Sequence, residues 1–156
     1  SSAMTGFAMQ AAYAASKGGL WALTRALAAE GAPHAIKVNA LSPAGNSRLV
    51  ASMLEEDSPL LAHARAALPP EAASPALAWL CHDDCPVTGE CIDSGGGQVQ
   101  RTLIARTRGI TVPGHTIEDV AARWDEIMAT DHAEWIGVAA QDTARWKLRP
   151  YTGNAA

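Results

Sequence analysis

Tyr13 and Lys17 stand four residues apart in the run Tyr13-Ala14-Ala15-Ser16-Lys17, within a stretch of good helix formers. At that spacing on a helix, two side chains share one face and each leans over the preceding turn, so a phenol comes to lie beside an ammonium. A free phenol gives up its proton only near pH ~10, and a neighbouring positive charge favours the phenolate. The pair is thus suited to taking a proton from a substrate hydroxyl near neutral pH. The same spacing also describes a half-buried tyrosine beside a solvated lysine, so the surrounding motifs decide its meaning.

A second group of reactive side chains is Cys81, Cys85 and Cys91, with His82 between the first two. These are four soft ligands in type, but the spacing matches neither usual Cys-x-x-Cys pairing for zinc, and no second pair follows. No metal site is expected. Trp79-Leu80-Cys81 reads instead as the buried end of a helix, and an odd number of cysteines argues against a disulfide framework.

Composition narrows the field. The chain has 156 residues, 48% of them hydrophobic and 18% charged, with a net charge of −4, which fits one globular unit with its own core. The 12 Lys and Arg residues are scattered and outnumbered by 16 Asp and Glu, so the basic stripe that binds nucleic acid is missing. No apolar run approaches the ~18 residues of a spanning helix, and the first residues do not read as a secretory signal. The expectation is a cytoplasmic protein with neither nucleic-acid nor membrane partners.

The elements that must position the pair follow in order. Residues 1–6 are small and polar, as in a loop. A long helix runs from about Met9 to Glu30, carrying Tyr13 and Lys17 near its start and an apolar stripe of Leu20, Leu23 and Leu27, and is ended by Gly31 and Pro33. Gly18-Gly19 interrupts it at a cost of about 1 kcal/mol per glycine relative to alanine, which suggests close approach of a backbone or a flat ligand, or plain crowding. Ile36 to Leu41 reads as a buried strand closed by Ser42-Pro43, followed by the loop Pro43-Ala44-Gly45-Asn46-Ser47. Ligands of open parallel sheets settle beyond the carboxyl ends of strands, which is where this loop falls.

Further on, Arg48–Glu56 and Leu60–Leu68 read as a pair of short helices with the character of a lid, and Glu71–His82 as an amphipathic helix. Gly89–Ser94 reads as a strand with Gly95-Gly96-Gly97 as a flexible exit, and Thr102–Arg108 as a possible extra strand. The glycine run lacks the spacing of a phosphate cradle. Thr116 is placed to cap a helix carrying Val120, Trp124, Ile127 and Met128, with Glu118 and Asp119 at its positive end. Residues from Thr130 onward are weakly patterned.

Three runs in register carry a resemblance: Gln10 to Lys17, then Leu23-Thr24-Arg25-Ala26-Leu27-Ala28-Ala29-Glu30, then Ile36-Lys37-Val38-Asn39-Ala40-Leu41-Ser42-Pro43. Together they resemble the active-site half of a short-chain dehydrogenase/reductase. Ala44 to Arg48, Trp79-Leu80-Cys81-His82 with Cys85, and the stretch from Gly95 through Trp124 are most similar to the (3R)-hydroxyacyl-CoA dehydrogenase unit of multifunctional β-oxidation enzymes. The resemblance implies an α/β fold, the C-terminal portion of a Rossmann-like doubly wound parallel sheet. Residues 1–130 form the dehydrogenase part, with 98–130 as a family-type extension and 131–156 as a tail.

The resemblance also implies roles. Tyr13 is the general base and Lys17 holds the nicotinamide ribose and favours the phenolate; a serine orients the substrate oxygen, and Pro43, Ala44, Gly45 and Asn46 lie along the nicotinamide of NAD. Ser1 and Ser2, twelve and eleven residues before Tyr13, stand slightly nearer than the family's serine. The substrate is acyl-CoA-like. The family's Gly-rich phosphate turn, the acidic residue for the adenosine ribose and the relay asparagine have no counterpart in this sequence, so the nucleotide-binding half is expected to be lacking. A sheet of two or three strands leaves an apolar edge, and a homo- or hetero-oligomer is expected. The alternative to an oxidoreductase is a truncated, non-catalytic subunit that packs against a complete dehydrogenase.

Overall fold

The computed structural model describes residues 2–52 and 55–138, which divide into two compact units, residues 2–102 and residues 103–138. In the first unit, the opening residues expected as a loop form the short helix α1 (Ser2–Thr5), which packs on the long helix α2 (Ala11–Gly31). Alanine, leucine, lysine and arginine give α2 its length. The turn that follows it, Ala32–His34, folds back so closely that a Cβ on Gly31 would sit 2.8 Å from the Ile36 carbonyl oxygen. Only glycine permits that approach.

The predicted strand Ile36–Leu41 is shifted toward its exit: strand β1 is Ala40–Pro43. The residues before it are held by side chains rather than by ladder pairing. The Val38 N–H donates to the Thr88 hydroxyl at 3.0 Å, and the Asn39 carboxamide donates to the Val87 carbonyl at 3.0 Å and accepts from the Glu90 N–H at 3.1 Å. Strand β2 (Cys91–Gly95) pairs parallel to β1, with Ala40 opposite Cys91 and Pro43 opposite Ser94. Helix α3 (Arg48–Ser52), helix α4 (Pro59–Ala67), a 3₁₀ turn (Pro70–Ala73) and helix α5 (Ser74–Leu80) form the crossover between them.

The glycine run expected as a flexible exit is a tight hairpin instead. Gly96 and Gly97, at φ 58° and 75°, turn the chain directly into strand β3 (Gln98–Thr102), antiparallel to β2. Two consecutive positive φ values are the requirement of a two-residue hairpin whose twist matches its strands. The sheet is therefore small and mixed, in the order β1-β2-β3.

Small side chains make the core of this unit. Ala28 of α2, Leu61 and Ala64 of α4, Ala73, Ala76 of α5, Cys85 and Cys91 are buried. The pair α3–α4 was expected to have the character of a lid, but α4 is anchored: Leu61 is 1% exposed, and the Ser58 hydroxyl caps the helix by accepting from the Leu61 N–H at 3.2 Å. Trp79 and Cys81, expected at a buried helix end, are exposed because α5 turns Ala76 inward; the Trp79 ring stacks on His82 with centroids 5.6 Å apart. Among the described residues, no group of three His, Cys, Asp or Glu side chains could hold a metal ion.

The second unit is a two-stranded antiparallel sheet, β4 (Ala105–Arg106) with β5 (Glu134–Trp135), and two short helices, α6 (Ile117–Ala122) and α7 (Trp124–Met128). One continuous helix was expected there, but Arg123, at φ −118°, divides it. The capping of α6 is as the sequence predicts: Thr116 accepts from the Asp119 N–H at 3.2 Å while the Asp119 carboxylate accepts from the Thr116 N–H at 2.9 Å. The Thr107 hydroxyl donates to the Ile127 carbonyl at 2.8 Å, tying the segment after β4 to α7. Residues 139–156, most of the expected tail, lie outside the described residues.

Candidate active site

Helix α2 brings Tyr13 and Lys17 together on one face. The Lys17 ammonium stands 5.3 Å from the centroid of the Tyr13 ring, within cation–π range, and the tyrosine is about half exposed at 49%. Both are thus open to a ligand. Ser16, between them in sequence, has its hydroxyl turned back to donate to the Tyr13 carbonyl at 2.7 Å, which leaves the Tyr13 side chain free of it. Ser1 and the side chain of Ser2 lie outside the described residues.

The other predicted group, Pro43 to Asn46, leaves the carboxyl end of β1. The loop is held at two points: the Ala44 N–H donates to the Ser94 carbonyl at 2.8 Å, and the Asn46 N–H to the Leu68 carbonyl at 2.7 Å. Tight packing fixes it further. A Cβ on Gly45 would come 3.3 Å from Pro70 Cα, and one on Gly95 would meet the Ala44 carbonyl oxygen at 2.3 Å. A cavity of about 290 Å³ opens beside the loop at the ends of β1 and β2, lined by Ser42, Asp93, Gln98 and Gln100 as well as Pro43 and Ala44 of the loop. The Asp93 carboxylate is engaged by the Thr102 hydroxyl, and Gln100 donates to Gln98 at 3.2 Å, so the polar lining is already ordered.

Two buried oxygens in this region have no hydrogen-bond partner, Asn46 Oδ1 and Ser94 Oγ. An unpaired buried acceptor costs free energy until something donates to it, and a carboxamide N–H of a nicotinamide is such a donor. The residues present therefore fit the nicotinamide end of a dinucleotide. They do not supply its phosphate site: among the described residues the only glycine cluster, Gly95–Gly97, makes the β2–β3 hairpin and opens no helix.

Sequence reasoning had not singled out the residues that hold this loop. Asn39 joins β1 to the approach of β2 through both ends of its carboxamide, Ser94 and Leu68 receive the loop amides, and Gly95 leaves it room. An asparagine in a mostly apolar strand was the available signal for the first. The others act through backbone atoms and leave no mark in side-chain type. Farther from the site, Cys91 of β2 is buried, and that burial, reinforced by Asp93, pushes its thiol up from the ordinary value.

An open parallel β1–β2 crossover, with a tyrosine–lysine pair on the preceding helix and a rigid loop at the strand ends, has the makings of a dinucleotide-dependent dehydrogenase site. Comparisons agree. A family model described as enoyl-(acyl carrier protein) reductase matches residues 1–98. A Mycobacterium tuberculosis protein assigned to the short-chain type dehydrogenases/reductases is 34% identical over 129 residues, 82% of this chain and 43% of that protein. The chain belongs to the short-chain dehydrogenase/reductase superfamily.

Within it, the chain is similar to peroxisomal multifunctional enzyme type 2 of Mus musculus, at 34% identity over 122 residues covering 76% of this chain and 16% of that one. The full-length structure of the Drosophila melanogaster peroxisomal multifunctional enzyme type 2 superposes with a TM-score of 0.73 and 26% identity, over 92% of this chain and 26% of that chain. The chain spans less than half the length of these relatives.

Proposed function

We propose that this chain is the active-site portion of a short-chain dehydrogenase, moving a hydride between NAD(H) and a 3-hydroxyacyl- or 3-oxoacyl-CoA-like substrate. The observation that carries the reading is the Tyr13–Lys17 pair on an open helix face, in register with the strand and loop that follow. Tyr13 takes the proton from the substrate hydroxyl, and the Lys17 ammonium beside it binds the ribose hydroxyls. Ser1 or Ser2 orients the substrate oxygen. Pro43, Ala44, Gly45 and Asn46 bound the nicotinamide end, which as NAD accepts the hydride. The phosphates and adenosine are held by a nucleotide-binding part, such as the family carries ahead of the residues matched here. The residues fall into a dehydrogenase part, 1–130, and a tail, 131–156.

The description of the matching family model, an enoyl-(acyl carrier protein) reductase, supports an acyl thioester as substrate. Among the described residues no helix is long and apolar enough to cross a membrane, and we place the protein in the cytoplasm without a nucleic-acid partner. A tagged chain that collects in a membrane-bounded organelle would overturn that placement. The reaction is tested by following nicotinamide absorbance with a (3R)-hydroxyacyl-CoA, in the presence of a nucleotide-binding half. Loss of turnover in Tyr13→Phe supports the reading, and turnover that survives it overturns it.

A second reading, a non-catalytic subunit packed against a complete dehydrogenase, draws on the large apolar side chains that α2 leaves exposed. Stable association with a complete dehydrogenase, with no binding of NAD by calorimetry in any assembly, would favour it.

A further inference from the structure

We propose that a cavity of the second unit, walled by Arg108, Arg123, Asp131 and His132, binds a phosphate monoester that also carries hydroxyl or amine groups, a sugar phosphate or nucleotide in size. The site uses no residue of the Tyr13–Lys17 pair or of the Pro43–Asn46 loop, so it stands apart from the proposed function.

The cavity measures about 480 Å³, within the range of small-molecule sites. Three segments wall it, and each is tied to the rest of the unit. Arg108 to Thr111 follow β4, and the Thr107 hydroxyl just before them is bonded to the Ile127 carbonyl of α7 at 2.8 Å. Helix α7 has Arg123 as its cap and carries Glu126. The turn after α7 is closed by the Ala133 N–H donating to the Thr130 carbonyl at 3.0 Å, which sets Asp131 and His132 at its tip, and the Ile136 N–H returns the chain to the Ile104 carbonyl at 2.9 Å. Walls pinned in this way can meet a ligand with little ordering of backbone, which preserves affinity. Gly109, at φ 57°, has nothing within 4 Å of where a Cβ would be, so the wall there is open to an incoming group.

The polar groups on these walls are only partly spent. Glu126 accepts from Arg123 Nε at 2.9 Å and from Arg123 Nη2 at 2.7 Å, a bidentate bond that fixes the plane of the guanidinium. The other N–H groups of Arg123 remain for a ligand. Arg108, Asp131 and His132 make no hydrogen bond or ion pair with other described residues. Two guanidinium groups lining one cavity suit a phosphate, whose oxygens accept from planar pairs of N–H donors.

Charge decides which kind of phosphate. Arg108 and Arg123 are balanced in the lining by Glu126 and Asp131, so with His132 neutral its formal charge is zero. A bare phosphate ion gains little there, because Glu126 already neutralises Arg123 and the unpaired Asp131 repels a second anion. An ester differs: its hydroxyl or amine groups donate to Asp131 while its phosphate takes the free guanidinium edges. The volume agrees, since a lone phosphate would leave most of the cavity unfilled. A metal cation is the poorer occupant, because Glu126 is spent on Arg123 and the described residues hold no group of three metal-ligating side chains.

The test is an amide-resolved NMR titration of the whole chain with adenosine monophosphate, ribose phosphate, inorganic phosphate and adenosine. Either ester should shift the amides of Gly109, Thr111 and His132, and inorganic phosphate or adenosine should bind about tenfold more weakly or worse. Arg108→Gln should lower ester affinity about tenfold or more with circular dichroism unchanged. Asp131→Ala should raise the affinity for inorganic phosphate and narrow the advantage of the esters, which a merely structural role for Asp131 would not do. Coenzyme A, which carries a phosphate monoester on its nucleotide, and its dephosphorylated form separate the sources: a preference for the former makes the natural ligand an acyl-CoA, and no preference makes it a free ester. Inorganic phosphate binding as tightly as the esters, shifts that survive Arg108→Gln, or no shift with any of these compounds overturns the inference.

Discussion

Tyr13 and Lys17 gain their meaning from exposure as much as from spacing. A tyrosine packed into a core cannot reach a substrate; at half exposure beside an ammonium it can. Tyr13→Phe should therefore lower turnover of the assembled enzyme by about 10²- to 10⁴-fold, the usual contribution of a positioned base. Its thermal transition should stay unchanged, because the hydroxyl supports no packing. The cysteines offer an independent check on the fold at this scale. Cys81 is exposed, whereas Cys91 is buried and its thiol is held protonated by that burial. Iodoacetamide should modify Cys81 in the native chain and spare Cys91 until denaturant is added. The sign of the Cys91 shift also means that the folded state binds its proton more tightly, so its contribution to stability declines as pH rises above the ordinary thiol range.

At the scale of elements, the loop after β1 is the most tightly specified piece of the site. Gly95→Ala would drive a methyl into the Ala44 carbonyl, where no flexible side chain can yield. The expected result is displacement of Pro43–Asn46 and loss of nicotinamide affinity, read by calorimetry on the assembled enzyme, with α2 still helical. Leu61→Ala removes the largest fully buried aliphatic side chain of α4 and should cost about 2–5 kcal/mol in denaturant unfolding. In the second unit, the Thr116 backbone and then its hydroxyl hold the Asp119 carboxyl below its ordinary range. A lowered carboxyl stabilises the folded state above its unfolded pKa and ceases to as pH falls through the folded one. Amide protection in the first turn of α6 should accordingly fall on acidification, and Thr116→Ala, which keeps the backbone N–H but removes the hydroxyl, should weaken that pH dependence without abolishing it. Of these features the Thr116 cap was legible in sequence, because it depends on residues three apart. The Gly95 contact was not, because it joins β2 to a loop about fifty residues earlier in the chain.

For the whole molecule, the decisive property is that its first unit combines a small sheet with a stripe of exposed leucines on its long helix. The mixed three-stranded sheet buries mostly alanine and cysteine side chains, while Leu20, Leu23, Leu27 and Ile36 remain at its surface. A partner packed on that stripe would bury it. Under the second reading, the melting temperature of the chain should rise with the concentration of a complete dehydrogenase that packs there, as ligation of the native state alone requires. A melting temperature independent of that partner would show that the exposed stripe is not its binding face.

The amino-acid sequence by itself determined the local features whose cause lies within a few residues: the helix that carries Tyr13 and Lys17, the cap at Thr116, and the order of motifs that places the chain in its superfamily. Periodicity also revealed the leucine stripe of α2, but could not say whether it faced inward or outward, since any apolar face looks the same in one dimension. Only the tertiary structure decided that. It showed the small-residue face buried and the leucines outward, turned the three glycines into a hairpin because two of them sit at positive φ, and moved the start of β1 from Ile36 to Ala40 because the Asn39 and Thr88 side chains take over the backbone bonds there. Each of these depends on residues far apart in sequence competing for the same hydrogen bond or the same space, and that competition is settled only in three dimensions.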